Sequence, residues 1–294
     1  MNNDLMSRIR AVQADFSRGQ KVIAAYITEH YDKAAFMTAN RLGSVTGVSE
    51  STVVRFAVKL GYDGYPALQA ALQDMIRNRL TAVQRLEVTS TKLSDQNILH
   101  AVMTDDMDKI ATTLASVDQD AFNAAVRETI GARRVYILGM RSSAGLAGFL
   151  GFYFRLLFDD VRIISSGGAN ELYEQLFHVA QGDIVYGISF PRYSSSTVRA
   201  LQFVRSRGAK IIAVTDSALS PIARYADYAL YARSDMASFV DSLVAPLSLF
   251  NALIIAIGMR KKEDVAKTFS ELESVWDEYG VYEKNDFAPD GGNA

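Results

Sequence analysis

Apolar positions recur at helical spacing through the first 80 residues, then give way after residue 133 to short runs rich in Val and Ile. Gln20 to Tyr31 places Val22, Ile23, Tyr26 and Ile27 three and four apart, which predicts a first helix. Thr38 is placed to cap a second, short helix with Ala39, Leu42, Val45 and Thr46 on its inner face. Gly47 supplies a bend, Ser49 another cap, and Gly61 the stop for a third helix. At about 100° per residue, Val53, Phe56, Ala57 and Leu60 share one face of that helix. Ser51, Thr52, Arg55 and Lys59 take the opposite side. Tyr65, Leu68, Leu72 and Ile76 extend a further stripe to about Leu80. Residues 1–80 thus predict an all-helical bundle. Its helix, glycine-containing turn and second helix match the arrangement whose second helix enters the DNA major groove.

Residues 81–94 lose periodicity, gain Thr and Ser, and are expected to be a linker. Helical stretches follow at 95–115 and 118–130, with Asp95 and Asp118 as caps. Short apolar runs at 134–139, 161–165, 183–189, 209–215 and 227–232 then alternate with helical stretches. Strands that alternate with helices predict an α/β three-layer domain, its parallel five-stranded sheet covered on both faces. Val244 to Met259 reads as a buried helix, since it is shorter than the ~20 residues that span a bilayer. Asp241 is placed as its cap, with binding of a sugar hydroxyl as the alternative role. A charged helix runs from Asp264 to Tyr282. The domain therefore occupies 95–284, with a tail at 285–294.

Charge adds an asymmetry. Residues 1–80 carry ten Lys/Arg against seven Asp/Glu, a net +3, and the remainder carries 21 against 26, a net −5. A basic front on an acidic body suits a polyanion-binding module joined to something else. The chain has no cysteine, which excludes disulfides and cysteine-based metal sites. His30, His100 and His178 stand at no metal-ligand spacing, so no metal is expected. Its first residues are neither basic nor a long apolar run, so neither an export signal nor a membrane partner is expected, and the protein reads as cytoplasmic.

The candidate chemistry lies after two strands. The first strand ends in Leu138-Gly139-Met140-Arg141-Ser142-Ser143, and the third in Ile188-Ser189-Phe190-Pro191-Arg192-Tyr193-Ser194-Ser195-Ser196-Thr197. Both loops place hydroxyls and an arginine where a helix starts, with free N–H groups and the positive end of the helix dipole ready for an anion. Any one of these serines can serve simply as an N-cap. Five Ser or Thr residues in the ten-residue third loop exceed what capping needs. Neither GxGxxG nor a Walker lysine is present, so no nucleotide cofactor is expected. Arg141, Ser142, Ser143, Ser189, Arg192, Tyr193, Ser194, Ser195 and Thr197 are the candidates for binding a phosphorylated small molecule.

These motifs carry a resemblance. Thr38-Ala-Asn-Arg-Leu42, Gly47-Val-Ser49, Ser51-Thr-Val-Val-Arg55-Phe and Lys59-Leu-Gly61-Tyr resemble the N-terminal domain of the RpiR family of bacterial transcription regulators. Residues from about 117 to 260 resemble a sugar isomerase (SIS) domain, the usual C-terminal partner in that family. The resemblance implies a dimer or tetramer that binds double-stranded operator DNA and senses a phosphorylated sugar or related metabolite. It makes Thr38, Ser49, Ser51, Thr52, Arg55 and Lys59 the candidate DNA contacts. Ser143 matches the serine of the family's first SIS loop, while Arg141 stands where that loop has a second glycine. Ser189 matches the first residue of a Ser-x-Ser-Gly-x-Thr pattern, in which Pro191, Arg192 and Ser194 replace the second Ser, the Gly and the Thr. Two added arginines point to an effector more acidic than a simple sugar monophosphate, such as a sugar-acid phosphate.

The rival expectation is an enzyme. SIS domains also occur in phosphosugar isomerases, whose chemistry needs a base near the substrate carbon. Glu171, Glu174 and His178 follow the second strand, but none stands in a recognisable catalytic motif. With a DNA-binding module in front, no catalytic residue is assigned. A sugar-binding adaptor without a DNA target is a third possibility.

Overall fold

The computed structural model describes residues 5–77, 83, 85–86, 97–165, 169–234 and 240–282. Contacts group residues 1–109 with 191–193 and 234–242 in one unit, and residues 110–190, 194–233 and 243–294 in another.

The first unit is helical. It contains α1 (Leu5–Val12), α2 (Arg18–Glu29), α3 (Tyr31–Ala34), α4 (Ala39–Thr46), α5 (Glu50–Lys59) and α6 (Tyr65–Arg77). Periodicity predicts the first helix at Gln20, yet α1 precedes it. Leu5 and Ile9 enter the same core as Ile23, Ile27, Leu42, Val53, Phe56, Leu68 and Leu72. Arg8 Nη1 donates to the Leu60 carbonyl at 3.1 Å, which ties α1 to the end of α5. Ser17 and Gln20 form a reciprocal capping box at the start of α2. The Tyr65 hydroxyl donates to the Met37 carbonyl at 2.6 Å, and burial pushes its pKa up to about 12.

Of the expected linker only residues 83, 85 and 86 are described; Asp95 and the tail at 285–294 lie outside the described residues. Arg85 is buried and pairs with Asp241 at 2.6 Å. Asp241 is therefore not the cap it is placed to be: the next helix has Leu243 at its N-cap position, with no side-chain bond there. A buried guanidinium needs its counter-charge more than a helix end needs a cap.

From α7 (Ile98–Ser116) the chain enters α8 (Gln119–Ile130), capped by Asp118 Oδ1 on the Asp120 and Ala121 amides. The strands follow the predicted runs closely: β1 (Val135–Gly139), β2 (Val161–Ile164), β3 (Ile184–Ile188), β4 (Lys210–Thr215) and β5 (Tyr228–Tyr231). Between them lie α9 (Ser143–Phe154), α10 (Ala169–Leu176) and α11 (Ser195–Ser206); α12 (Val244–Arg260) and α13 (Lys262–Glu278) close the chain. All strand pairs are parallel, in the order β2-β1-β3-β4-β5.

Alternate residues of the strands feed two cores. Ile137, Tyr186, Ile212 and Val214 pack beneath α8, α9 and α12, while Tyr136, Leu138, Val185 and Ala213 pack against α10 and α11. Helices on both faces of a parallel sheet make the expected three layers. The Tyr186 hydroxyl lies 2.6 Å from Thr129 Oγ1 inside the first core, and burial raises its pKa. No single helix among the described residues is long and apolar enough to cross a membrane.

Candidate functional site

The helix-turn-helix is held by glycines. Gly47 has φ 68°, a left-handed bend, and its amide donates to the Gly43 carbonyl. The Val48 amide also donates to Gly43, at 2.9 Å. A Cβ on Gly43 would stand 2.8 Å from the Val48 carbonyl oxygen, so only glycine lets α4 and the turn approach this closely. We expect Gly43→Ala to destabilise the first unit by ~1–3 kcal/mol through overpacking. Equilibrium denaturation followed by circular dichroism checks this, and unchanged stability would mean that the close approach is dispensable.

Thr38 and Ser49 act as N-caps, accepting from the Arg41 and Thr52 amides respectively. The Ser49 hydroxyl also lies 3.0 Å from that of Ser51 and 2.8 Å from that of Thr52. Val53, Phe56 and Ala57 are buried on the inner face of α5, where the Phe56 ring lies 5.2 Å from that of Phe16. Arg55 is exposed and reaches Thr52 Oγ1 at 3.5 Å. Lys59 is less free than the sequence suggests, because its ammonium donates to the Asp15 carbonyl. Two residues missing from the sequence reading also face outward: Val54 is 38% exposed and Val58 56%. At ~100° per residue they flank Ser51 and Arg55 on the helix wheel, a placement that could have been read from the sequence.

The sheet order locates the other site. β1 continues through α9 to β2 on one side, and β3 lies on the other, so the connection reverses between β1 and β3. In open α/β sheets, ligands bind beyond the carboxyl ends of the strands at such a switch point. The two predicted loops are the ones that follow these adjacent strands, which pair from Val135–Ile184 to Gly139–Ile188.

After β1, a Cβ on Gly139 would lie 2.5 Å from the Ser143 carbonyl oxygen, so the turn into α9 is as tight as glycine allows. Arg141 has φ 56°. Ser142 holds the N-cap position but makes no side-chain cap bond. Ser143 is buried in the first turn and Ser142 is exposed. After β3, Arg192 has φ 65°. Arg141 and Arg192 are the two non-glycine residues with positive φ among those described.

Ser194 caps α11, accepting from the Thr197 amide at 3.4 Å, while its own amide donates to Ser189 Oγ at 3.4 Å. Ser195 is exposed and Tyr193 half-buried. Thr197 is fully buried, and its hydroxyl has no hydrogen-bond partner. Beneath the loop, Thr215 Oγ1 donates to the Ser189 carbonyl at 2.7 Å and lies 2.8 Å from Ser220 Oγ. Thr215 and Ser220 thus support the Ser189 backbone, a role that only the tertiary fold reveals. Pro191–Tyr193 groups by contact with the first unit and Ser189, Ser194, Ser195 and Thr197 with the second. Glu171, Glu174 and His178 are exposed on α10 and the turn after it. No group of three His, Cys, Asp or Glu residues that could hold a metal occurs among the described residues.

Comparisons with known proteins agree with this architecture. Residues 3–79 match the helix-turn-helix domain of the rpiR family, and residues 129–256 match the SIS domain. An uncharacterised HTH-type transcriptional regulator of Caldanaerobacter subterraneus subsp. tengcongensis is 23% identical over 280 residues, covering 92% of this chain and 96% of that protein. The sugar isomerase domain of an RpiR transcription factor from Sphaerobacter thermophilus is 31% identical, with a TM-score of 0.58 over 60% of this chain and 99% of that one. The NanR protein of Vibrio vulnificus, solved in complex with ManNAc-6P, is 19% identical, with a TM-score of 0.55 over 94% of this chain and 99% of that one. The chain belongs to the RpiR family of helix-turn-helix transcriptional regulators and carries that family's C-terminal SIS domain.

Proposed function

We propose that the protein binds double-stranded operator DNA through α5 and releases or tightens that grip when a phosphorylated sugar or sugar-acid enters its SIS domain. The observation that carries the effector half is the switch point. Both hydroxyl-rich loops follow the two strands that flank it, each leads into a helix N-terminus, and Thr197 brings a buried hydroxyl with no partner. A phosphate seated there accepts from the amides that open α9 and α11 and from Ser143, Ser194 and Thr197. Ser142, Ser189, Ser195 and Tyr193 supply further hydroxyls for the sugar, and Arg141 and Arg192 the charge for an acidic group. That the similarly folded NanR is complexed with ManNAc-6P supports a sugar phosphate of some kind.

On the DNA side, Arg55 pairs with a guanine edge and Ser51 with a base or phosphate, while Val54 and Val58 suit thymine methyls. A capping hydroxyl accepts from its helix and keeps its own proton to donate. Thr38 and Ser49 therefore remain able to bind phosphate oxygens, and the Thr52 hydroxyl beside Ser49 can join them. Lys59 serves the backbone once it leaves the Asp15 carbonyl. Two copies of α5, presented by a homodimer or a dimer of dimers, read the half-sites of a roughly palindromic operator.

The effector must prefer one spacing of the two α5 helices for this to be allostery, and a coupling of ~1–3 kcal/mol is typical. The test is a gel shift on the DNA upstream of the protein's own gene, with salt varied and a panel of sugar phosphates and sugar-acid phosphates added. We expect affinity to fall steeply with salt, by ~0.9 in log K per log salt for each phosphate neutralised. At least one phosphorylated compound should shift the binding curve. No specific binding at any salt would refute the DNA half, and indifference to every compound in the panel would refute the effector half.

A further inference from the structure

We infer that the groove between α1 and α2 is a binding site for a monocarboxylic acid with an apolar body, a ligand class distinct from sugar phosphates. The groove has a volume of about 530 Å³, within the range of small-molecule sites. Its floor is formed by Met6 and Ile9 on α1, Phe16 after the connecting turn, and Ala24 and Ala25 on α2. Ile9, Phe16 and Ala24 are buried members of the first unit's core, so packing holds the floor in place.

Charge gives the groove a direction. Arg10 and Lys21 line it with exposed side chains, and so does Glu29. Lys21 lies in the first turn of α2 and Glu29 is its last residue, each at the end where the helix dipole opposes its charge. Helix stability does not account for that placement. A ligand carboxylate beside Lys21 does, because the ammonium and the positive end of the dipole then attract the same group. Glu29, about 12 Å along the axis at ~1.5 Å per residue, repels a second carboxylate and limits the ligand to one. A DNA phosphate would meet the cations but leave the apolar floor wet. A wholly apolar partner would cover the cations without a counter-charge. An amphipathic acid satisfies both.

The same wall supports α5. The Phe16 ring lies 5.2 Å from that of Phe56 on the inner face of α5. The Asp15 carbonyl, in the 3-10 turn Gln13–Asp15, accepts from the Lys59 ammonium of that helix. Gln13 and Phe16, on either side of this carbonyl, both line the groove. An acid held against them restrains the turn and, through it, two of the holds on α5. The site is separate from the loops beyond the sheet, and no part of it rests on what those loops bind.

Isothermal titration of the full chain with octanoate, octanol and acetate tests the assignment. Octanoate is expected to bind one to one and more tightly than octanol, which carries the apolar body without the charge. Acetate, the charge without the body, should show no saturable binding at the same concentrations. Lys21→Gln should weaken octanoate by about two- to fivefold, the weight of an exposed ion pair, and leave octanol unchanged. Ala25→Trp, at an exposed position of the lining, should fill the space and abolish binding of both with an unchanged far-ultraviolet spectrum. Lys33→Gln, an exposed cation on α3, should bind octanoate as the wild type does. Saturating octanoate should also slow hydrogen exchange at the α5 amides and leave the five strands unaffected. No binding of octanoate, octanol held as tightly, a Lys21→Gln variant with wild-type affinity, binding that survives Ala25→Trp, or α5 amides that exchange as before would each overturn the assignment.

Discussion

Arg55→Ala is expected to abolish the preference for operator over scrambled DNA while leaving effector binding as in the wild type. The side chain is exposed near the middle of the outer face of α5 and approaches Thr52 Oγ1, in the same helix, at 3.5 Å. Its removal therefore disturbs nothing in the core of Val53, Phe56 and Ala57. A bidentate arginine–guanine pair is worth ~1–3 kcal/mol of discrimination, and the proposed dimer would lose it at both half-sites. Together that is a loss of roughly 30-fold to more than 10⁴-fold in specificity, at 1.4 kcal/mol per tenfold. Lys59→Ala supplies the contrast. Its ammonium holds the Asp15 carbonyl and can at most reach a phosphate, so it should weaken all DNA alike and reduce the salt slope. Competition gel shifts with operator and scrambled duplexes separate the two. Should both variants lose specific and non-specific binding in the same proportion, α5 does not read bases.

What the sequence made legible follows how local each determinant is. Thr38, Ser49, Ser194 and Asp118 cap the helices they precede, because a cap needs only its own next three residues. The five strands were legible because each is a short, mainly apolar run bounded by turns. Their order was not, since nothing in β1 or β3 specifies that β2 lies outside the pair. The order is what makes the two loops follow neighbouring strands.

α1 went unread although Leu5, Ile9 and Val12 have helical spacing; eight residues are too few to stand alone, and its anchor, the Leu60 carbonyl, lies 52 positions away. The role of Asp241 is hidden for the same reason, its partner Arg85 being 156 residues upstream. The apolar run of α12 was legible as a helix with a core face. The second face, with Ile255 and Met259 in solvent, emerges only once the first is packed.

Replacing both Arg141 and Arg192 by glycine should make the protein more stable and a worse sensor. At φ 56° and 65° the two arginines hold a backbone conformation that costs an L-residue roughly 1–2 kcal/mol, and glycine adopts it freely. Glycine gives back about 0.5–1 kcal/mol through the greater freedom of its unfolded chain. The backbone contribution for the pair is then on the order of 1 kcal/mol, worth ~2–4 °C in Tm for a domain of this size. Strain of this kind persists where function requires the side chain, and both positions lie in the loops beside the switch point. A charge-assisted hydrogen bond is worth ~1.5–3 kcal/mol, so each glycine should weaken a sugar-acid phosphate by roughly 10- to 150-fold. A neutral sugar phosphate, held mainly by amides and hydroxyls, should lose much less. Thermal melts with and without each class of ligand read both quantities on the same samples. If the double variant melts lower and binds both classes as the wild type does, the arginines are structural braces and do not select a sugar-acid phosphate.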